Sequence, residues 1–133
     1  MAIFIILLWE SAGAVQVLQA RKLLRGSGDM AKKTLEILTE SMFYVLMSFV
    51  KKEMCGIETA EFVERKTNGR VKLGPGTLYT ILGKFEEERF IEEIQVEGRK
   101  RTYRITDKGR NAYREELERL RSCIRDAESE GQR

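Results

Sequence analysis

From Thr39 onward the apolar positions change period in a fixed order: helical in three successive stretches, strand-like in two, and helical again towards the end. The first stretch, Thr39 to Val50, has Thr39 placed as an N-cap and Met42, Phe43, Leu46, Met47 and Val50 along a broad apolar face. Tyr44, Val45 and Phe49 lie off that face, so the helix is apolar nearly all round and is expected to need a second cover from a neighbouring subunit. Lys51 to Gly56 is a short polar connection. A second helix, Ile57 to about Lys66, carries Ile57, Ala60 and Val63 as a stripe with Phe62 beside it, and the turn signal Thr67-Asn-Gly69 stops it.

A few extended residues, Val71 to Leu73, then lead into Gly74-Pro-Gly76, where Pro75 suits a first helical turn and the glycines allow close approach of a ligand or neighbour. Leu78, Ile81, Leu82 and Phe85 turn one stripe of this third helix inward. Thr77, Tyr79, Thr80, Gly83 and Lys84 fall towards the other side, a short, polar and lightly basic surface. Such a surface suits a helix N-terminus laid against phosphates, with backbone N–H groups and hydroxyls as donors. Gly83 inside the helix costs about 1 kcal/mol relative to Ala unless close approach requires it.

After Arg89 the period becomes that of strands. Phe90 to Val96 and Lys100 to Ile105 flank the hairpin tip Glu97-Gly-Arg99, with Arg99, Lys100, Arg101 and Arg104 clustered on it. Two helices joined by a short connection and followed by a basic ribbon are the order of a winged helix-turn-helix, in which the ribbon lies along phosphates or in the minor groove. The alternative is an edge hairpin whose charges merely deter aggregation. The predicted class is therefore mainly α (α+β), a winged helix-turn-helix with a two-stranded wing. The last helix begins at Thr106, its N-cap, and Tyr113, Leu117, Leu120, Ile124 and Ala127 mark a heptad seam. That narrow seam predicts subunit pairing, with packing on the chain's own first helix as the alternative; Phe43 and Met47 join the expected dimer surface.

Charge sharpens the picture. The chain of 133 residues carries a net +3, yet Arg65 to Arg114 holds thirteen Lys/Arg against seven Asp/Glu, so the positive charge gathers around the third helix and the wing. There is no histidine, and no nucleophile constellation, carboxylate pair or phosphate-binding glycine loop stands out; enzymatic activity, metal and cofactor are not expected. Cys55 and Cys123 lack metal-ligand spacing and fit a reducing cytoplasm, a redox role for either staying open. Residues 1–29 differ in composition. Ile3 to Trp9 is too short to span a bilayer, and the segment is taken as upstream sequence from a start-site error, as an accessory helix or as a leader; residues 30–106 form the DNA-binding domain and 107–133 the dimerisation helix and tail.

With Leu38-Thr-Glu-Ser-Met-Phe-Tyr-Val-Leu46, Cys55-Gly-Ile-Glu58, Gly69 to Tyr79, and Gly98-Arg-Lys-Arg-Thr-Tyr-Arg-Ile-Thr-Asp-Lys-Gly109 in view, the chain resembles the PadR family of bacterial transcriptional regulators from Leu38 to about Asp126. The resemblance implies a homodimeric winged-helix repressor that binds double-stranded DNA and releases it when a small molecule binds. On that basis Pro75, Gly76, Thr77, Tyr79, Thr80, Lys84, Arg99, Lys100, Arg101 and Arg104 are the expected DNA contacts; Phe43, Tyr44, Met47 and Phe49 are a candidate effector lining, with plain core as the alternative that their helical spacing favours. Arg89 stands where the family usually has a left-handed Gly, so it either takes a positive φ or the helix ends differently. A winged helix that docks an acidic protein surface instead of DNA is the alternative function.

Overall fold

The computed structural model describes residues 37–131, and the expectations placed on residues 1–29 lie outside them. The elements are α1 (Glu40–Lys51), β1 (Met54–Cys55), α2 (Gly56–Lys66), α3 (Pro75–Glu87), β2 (Ile91–Glu97), β3 (Lys100–Ile105) and α4 (Asp107–Gly131). Local devices fix their ends. Thr39 caps α1 by accepting from the Met42 N–H at 3.1 Å, and Thr106 caps α4 by accepting from Gly109 N–H at 3.0 Å. At α2 the Glu58 carboxylate reaches back to the Cys55 N–H at 2.9 Å, and that hydrogen bond holds its pKa below the ordinary 4.5.

Both inner helices end in the same way. Asn68 takes φ 52° after α2, with Gly69 N–H donating to Glu64 O at 2.8 Å; Arg89 takes φ 61° after α3, with Phe90 N–H donating to Phe85 O at 2.8 Å. These are Schellman closures, in which one left-handed residue lets the next N–H reach five residues back. The Phe85 and Phe90 rings, 5.8 Å apart, supply the accompanying apolar contact. Arg89 therefore keeps the helix ending and bears the left-handed strain itself, at about 1 kcal/mol.

The strands form one antiparallel sheet in the order β1-β3-β2. β1 was expected to be connection. Its two residues are too few to show a period, and only pairing with Thr102 and Tyr103 of β3 makes them a strand. α1 lies at the centre of the core, and this corrects the reading of its faces. Val45 and Phe49, expected off the apolar face, are fully buried, Phe49 edge-on to Tyr103 at 6.2 Å, while Met47 and Val50 are half-buried. The helix is apolar nearly all round because α2, the sheet and α4 each cover part of it within one subunit.

The final helix divides its seam. Tyr113 stacks on Phe43 at 5.1 Å, and Leu117 and Leu120 also pack against the core; Ile124, 56% exposed, and Ala127 stand beyond it. Gly109 is needed for α4 to leave the sheet, since a Cβ there would lie 2.2 Å from Phe90 O.

Candidate nucleic-acid interface

The third helix presents its N-terminus to solvent. Gly74, its N-cap, has no side chain to accept from the first turn, Pro75 has no N–H, and the Gly76 and Thr77 N–H groups precede the first intrahelical bond, Leu78 N–H to Gly74 O at 2.9 Å. Pro75, Gly76 and Thr77 are all exposed. The positive end of the helix is thus open to an anion. As the spacing predicted, Leu78, Ile81, Leu82 and Phe85 are buried, while Gly76, Thr80 and Gly83 follow one another along the outward line.

Space beside the glycines is open. A Cβ at Gly74, Gly76 or Gly83 would meet nothing within 4 Å, and none of the three has a positive φ, so the fold itself does not require glycine there. Gly56 differs, because its Cβ would meet Leu82 Cδ1 at 3.4 Å, in van der Waals contact where α2 packs on α3.

Tyr79, 59% exposed, leans into a concavity of about 1020 Å³ bounded by the α2 N-terminus, the outward side of α3 and the wing from Gly98 to Arg101. Ile57 is 68% exposed on the α2 rim, and Glu58, Glu61 and Glu86 face the wing cations across the hollow. Burial raises the Glu86 pKa first and neighbouring Glu93 raises it further, against Arg101 and Tyr103, which lower it. Burial likewise raises the Tyr103 hydroxyl.

The expected site residues do not all meet here. Tyr79, Arg99, Lys100 and Arg101 line the concavity, and Pro75, Gly76, Thr77 and Thr80 lie along the adjoining helix end. Lys84 is a correction: it is 4% exposed, with its ammonium 3.4 Å from Glu88, because it sits at the edge of the apolar stripe and its stem follows the core. It is not on the outward surface. Arg104 is exposed but lies on the opposite side of β3 from Arg101 and pairs with Glu92 at 2.6 Å.

Sequence reasoning missed the acidic side of the hollow and the α2 N-terminus. The wing register shows why. β2 sets Glu92 opposite Arg104 and Glu97 opposite Lys100, and Arg101 is 3.4 Å from Glu93, so the ribbon is far less cationic than its arginines alone suggest. The three glutamates of β2, Glu92, Glu93 and Glu97, were the available signal.

Among the described residues no helix is long and apolar enough to cross a membrane, and no group of three or more His, Cys, Asp or Glu is placed to hold a metal. Of the residues considered for an effector lining, Tyr44 and Met47 are half-buried and Phe43 and Phe49 buried, and Met47 borders a smaller depression with Val50, Lys51, Phe62, Arg65 and Lys66.

Many solved structures are similar to the chain, and three serve as examples. A transcriptional regulator from Clostridium thermocellum is 22% identical with a TM-score of 0.61, covering 67% of this chain and 87% of its own. H. salinarum RosR is 18% identical with a TM-score of 0.54, covering 69% and 94%. The PcaV transcriptional regulator from Streptomyces coelicolor, solved with its natural ligand, is 18% identical with a TM-score of 0.54, covering 81% and 70%. At these identities the likeness is one of fold, that of winged-helix regulators. No curated protein sequence matches the chain. The transcriptional regulator PadR-like family matches residues 45–115, from within α1 through the helix pair and the wing into α4, which is more than half of the 133 residues. The chain belongs to the PadR-like family of transcriptional regulators.

Proposed function

We propose that this protein is a sequence-specific regulator that binds duplex DNA as a homodimer, represses a nearby operon and is released by a small molecule. The observation that carries the DNA reading is the open α3 N-terminus with Gly76 and Gly83 bare on its outward line, beside a hollow walled by Arg99, Lys100 and Arg101. A helix end that gives up side chains where the fold leaves room for them is suited to close approach by a phosphate backbone and base edges. In this reading Thr77 and Thr80 reach towards bases, Tyr79 and Gly76 hold phosphate, and the wing contributes charge. Ile124 and Ala127, exposed beyond the core on α4, are the surface on which a second copy pairs. The half-buried Leu117 and Leu120 would extend that surface towards Phe43 and Met47. Pairing would set two recognition helices one DNA turn apart.

The exposed Ile57, Ile94 and Val96 around the hollow and on the wing favour a second reading, docking of a protein surface. A gel-shift titration with the duplex upstream of the protein's own gene, against random duplex over a salt series, separates the two. DNA binding should fall linearly in log affinity against log salt with a sequence-specific excess. Arg101→Ala should weaken operator and random binding alike and flatten the slope by about one, whereas Thr77→Ala should lower the operator-to-random ratio more. If neither variant alters binding to either duplex, this surface does not meet DNA and the docking reading stands.

A further inference from the structure

The wing carries its own counter-charge, and its register shows where. Along β3, Ile105 and Tyr103 face the helices, and strand alternation puts Arg101 on that same side while Arg104 and Thr102 take the other. On β2, Glu93 lies directly opposite Tyr103. The register then slips between Glu93 and Gln95, so that Val96, not Gln95, comes to lie opposite Arg101. Strand alternation from the Glu93–Tyr103 pair still keeps Arg101 diagonal to Glu93, whose carboxylate its guanidinium meets at 3.4 Å. Glu86 of α3 faces the cluster from the helix side, where Arg101, Glu93 and Tyr103 each act on its charge, and Arg101 acts in turn on the Tyr103 hydroxyl. One cation thus pairs with a wing carboxylate and lines the same hollow as a recognition-helix carboxylate whose charge it influences.

We propose that Glu93, supported by Glu86, is a positioning residue that holds Arg101 against the recognition helix and competes with DNA phosphate for it. Binding then exchanges the Glu93 carboxylate for a phosphate oxygen on Arg101, and the carboxylate left behind faces the polyanion. The wing contact is weakened by design of the strand rather than by lack of charge. Arg104, paired with Glu92 on the other side, takes no part in the exchange. This inference rests on the DNA reading above.

The test is a double-mutant cycle in DNA binding on the full chain, using operator and random duplex over a salt series. Glu93→Gln should tighten both by about fivefold at low salt, the effect fading as salt screens it. Glu93→Asp, which keeps the charge, should stay within twofold of the unaltered protein, about the scatter of such titrations. In an Arg101→Ala background Glu93→Gln should gain much less, since the cation it competes for is gone. Glu92→Gln serves as the control of equal charge change and should gain less than Glu93→Gln. An equal gain in the Arg101→Ala background, or an equal gain from Glu92→Gln, would overturn the proposal in favour of bulk charge. No gain from Glu93→Gln while the unaltered protein binds DNA with a normal salt slope would also overturn it and leave the DNA reading intact. Absence of salt-dependent binding by the unaltered protein would overturn both.

Discussion

Replacing Gly83 by Ala sets stability against function at a single methyl group. The residue lies in the interior of α3, eight residues after Pro75, with helical backbone and no heavy atom within 4 Å of a Cβ. In such a position Ala is favoured over Gly by about 0.8–1.0 kcal/mol, chiefly because the unfolded chain loses fewer conformations. For a domain of this size, 1 kcal/mol raises Tm by roughly 4–8 °C. The same methyl would stand between Tyr79 and Glu86 on the outward side of the helix, where the proposed DNA reading brings a duplex close. Forcing an added methyl into a close contact typically costs about 1–3 kcal/mol, or roughly 5- to 150-fold in affinity. Thermal melting by circular dichroism and a gel-shift on operator duplex measure the two effects on one preparation. A stabilised variant that binds DNA as tightly as the unaltered protein would refute close approach at Gly83. A destabilised variant would refute the open space itself.

Other positions in the same fold give further outcomes. Arg89→Gly should stabilise the fold by about 1 kcal/mol, because the residue has φ 61° and glycine carries no left-handed penalty; denaturant midpoints decide it, and an unchanged midpoint would show the strain to be absent. Ile124→Glu should dissociate a dimer without lowering the melting temperature of the subunit, whereas Leu120→Glu, at a position packed on the core, should unfold it; sedimentation and melting together separate these, and a dimer unchanged in Ile124→Glu would remove the α4 end from the interface. The capping carboxylate of Glu58 has its pKa depressed by the Cys55 N–H, so its contribution is present above the ordinary value of 4.5 and is lost as pH falls through the lower folded value. The stability difference between the unaltered protein and Glu58→Ala should therefore be constant near neutrality and vanish in acid; a difference that persists in acid would show that the cap does not depend on the charge.

Helix boundaries, the two turns and the hairpin could be derived from the sequence because each depends on residues within a few positions of one another. Thr39 and Thr106 cap where a hydroxyl precedes an apolar period, Asn68 closes α2 because Asn tolerates the left-handed well, and Pro75 opens α3 because its φ is already helical. The buried stripe of α3 followed in the same way from a period of 3.6. Tertiary structure alone decided what lay between elements. β1 exists only through its pairing with β3, and Val45 and Phe49 are interior only because α1 is covered from several sides at once. Lys84 left the expected surface because its long stem reached Glu88 along the core, a choice that periodicity cannot express. The wing shows the limit most plainly: its arginines were visible in the chain, but whether each meets a phosphate or a glutamate depends on strand register, and the pairing of Glu93 with Tyr103 set Arg101 beside an acid.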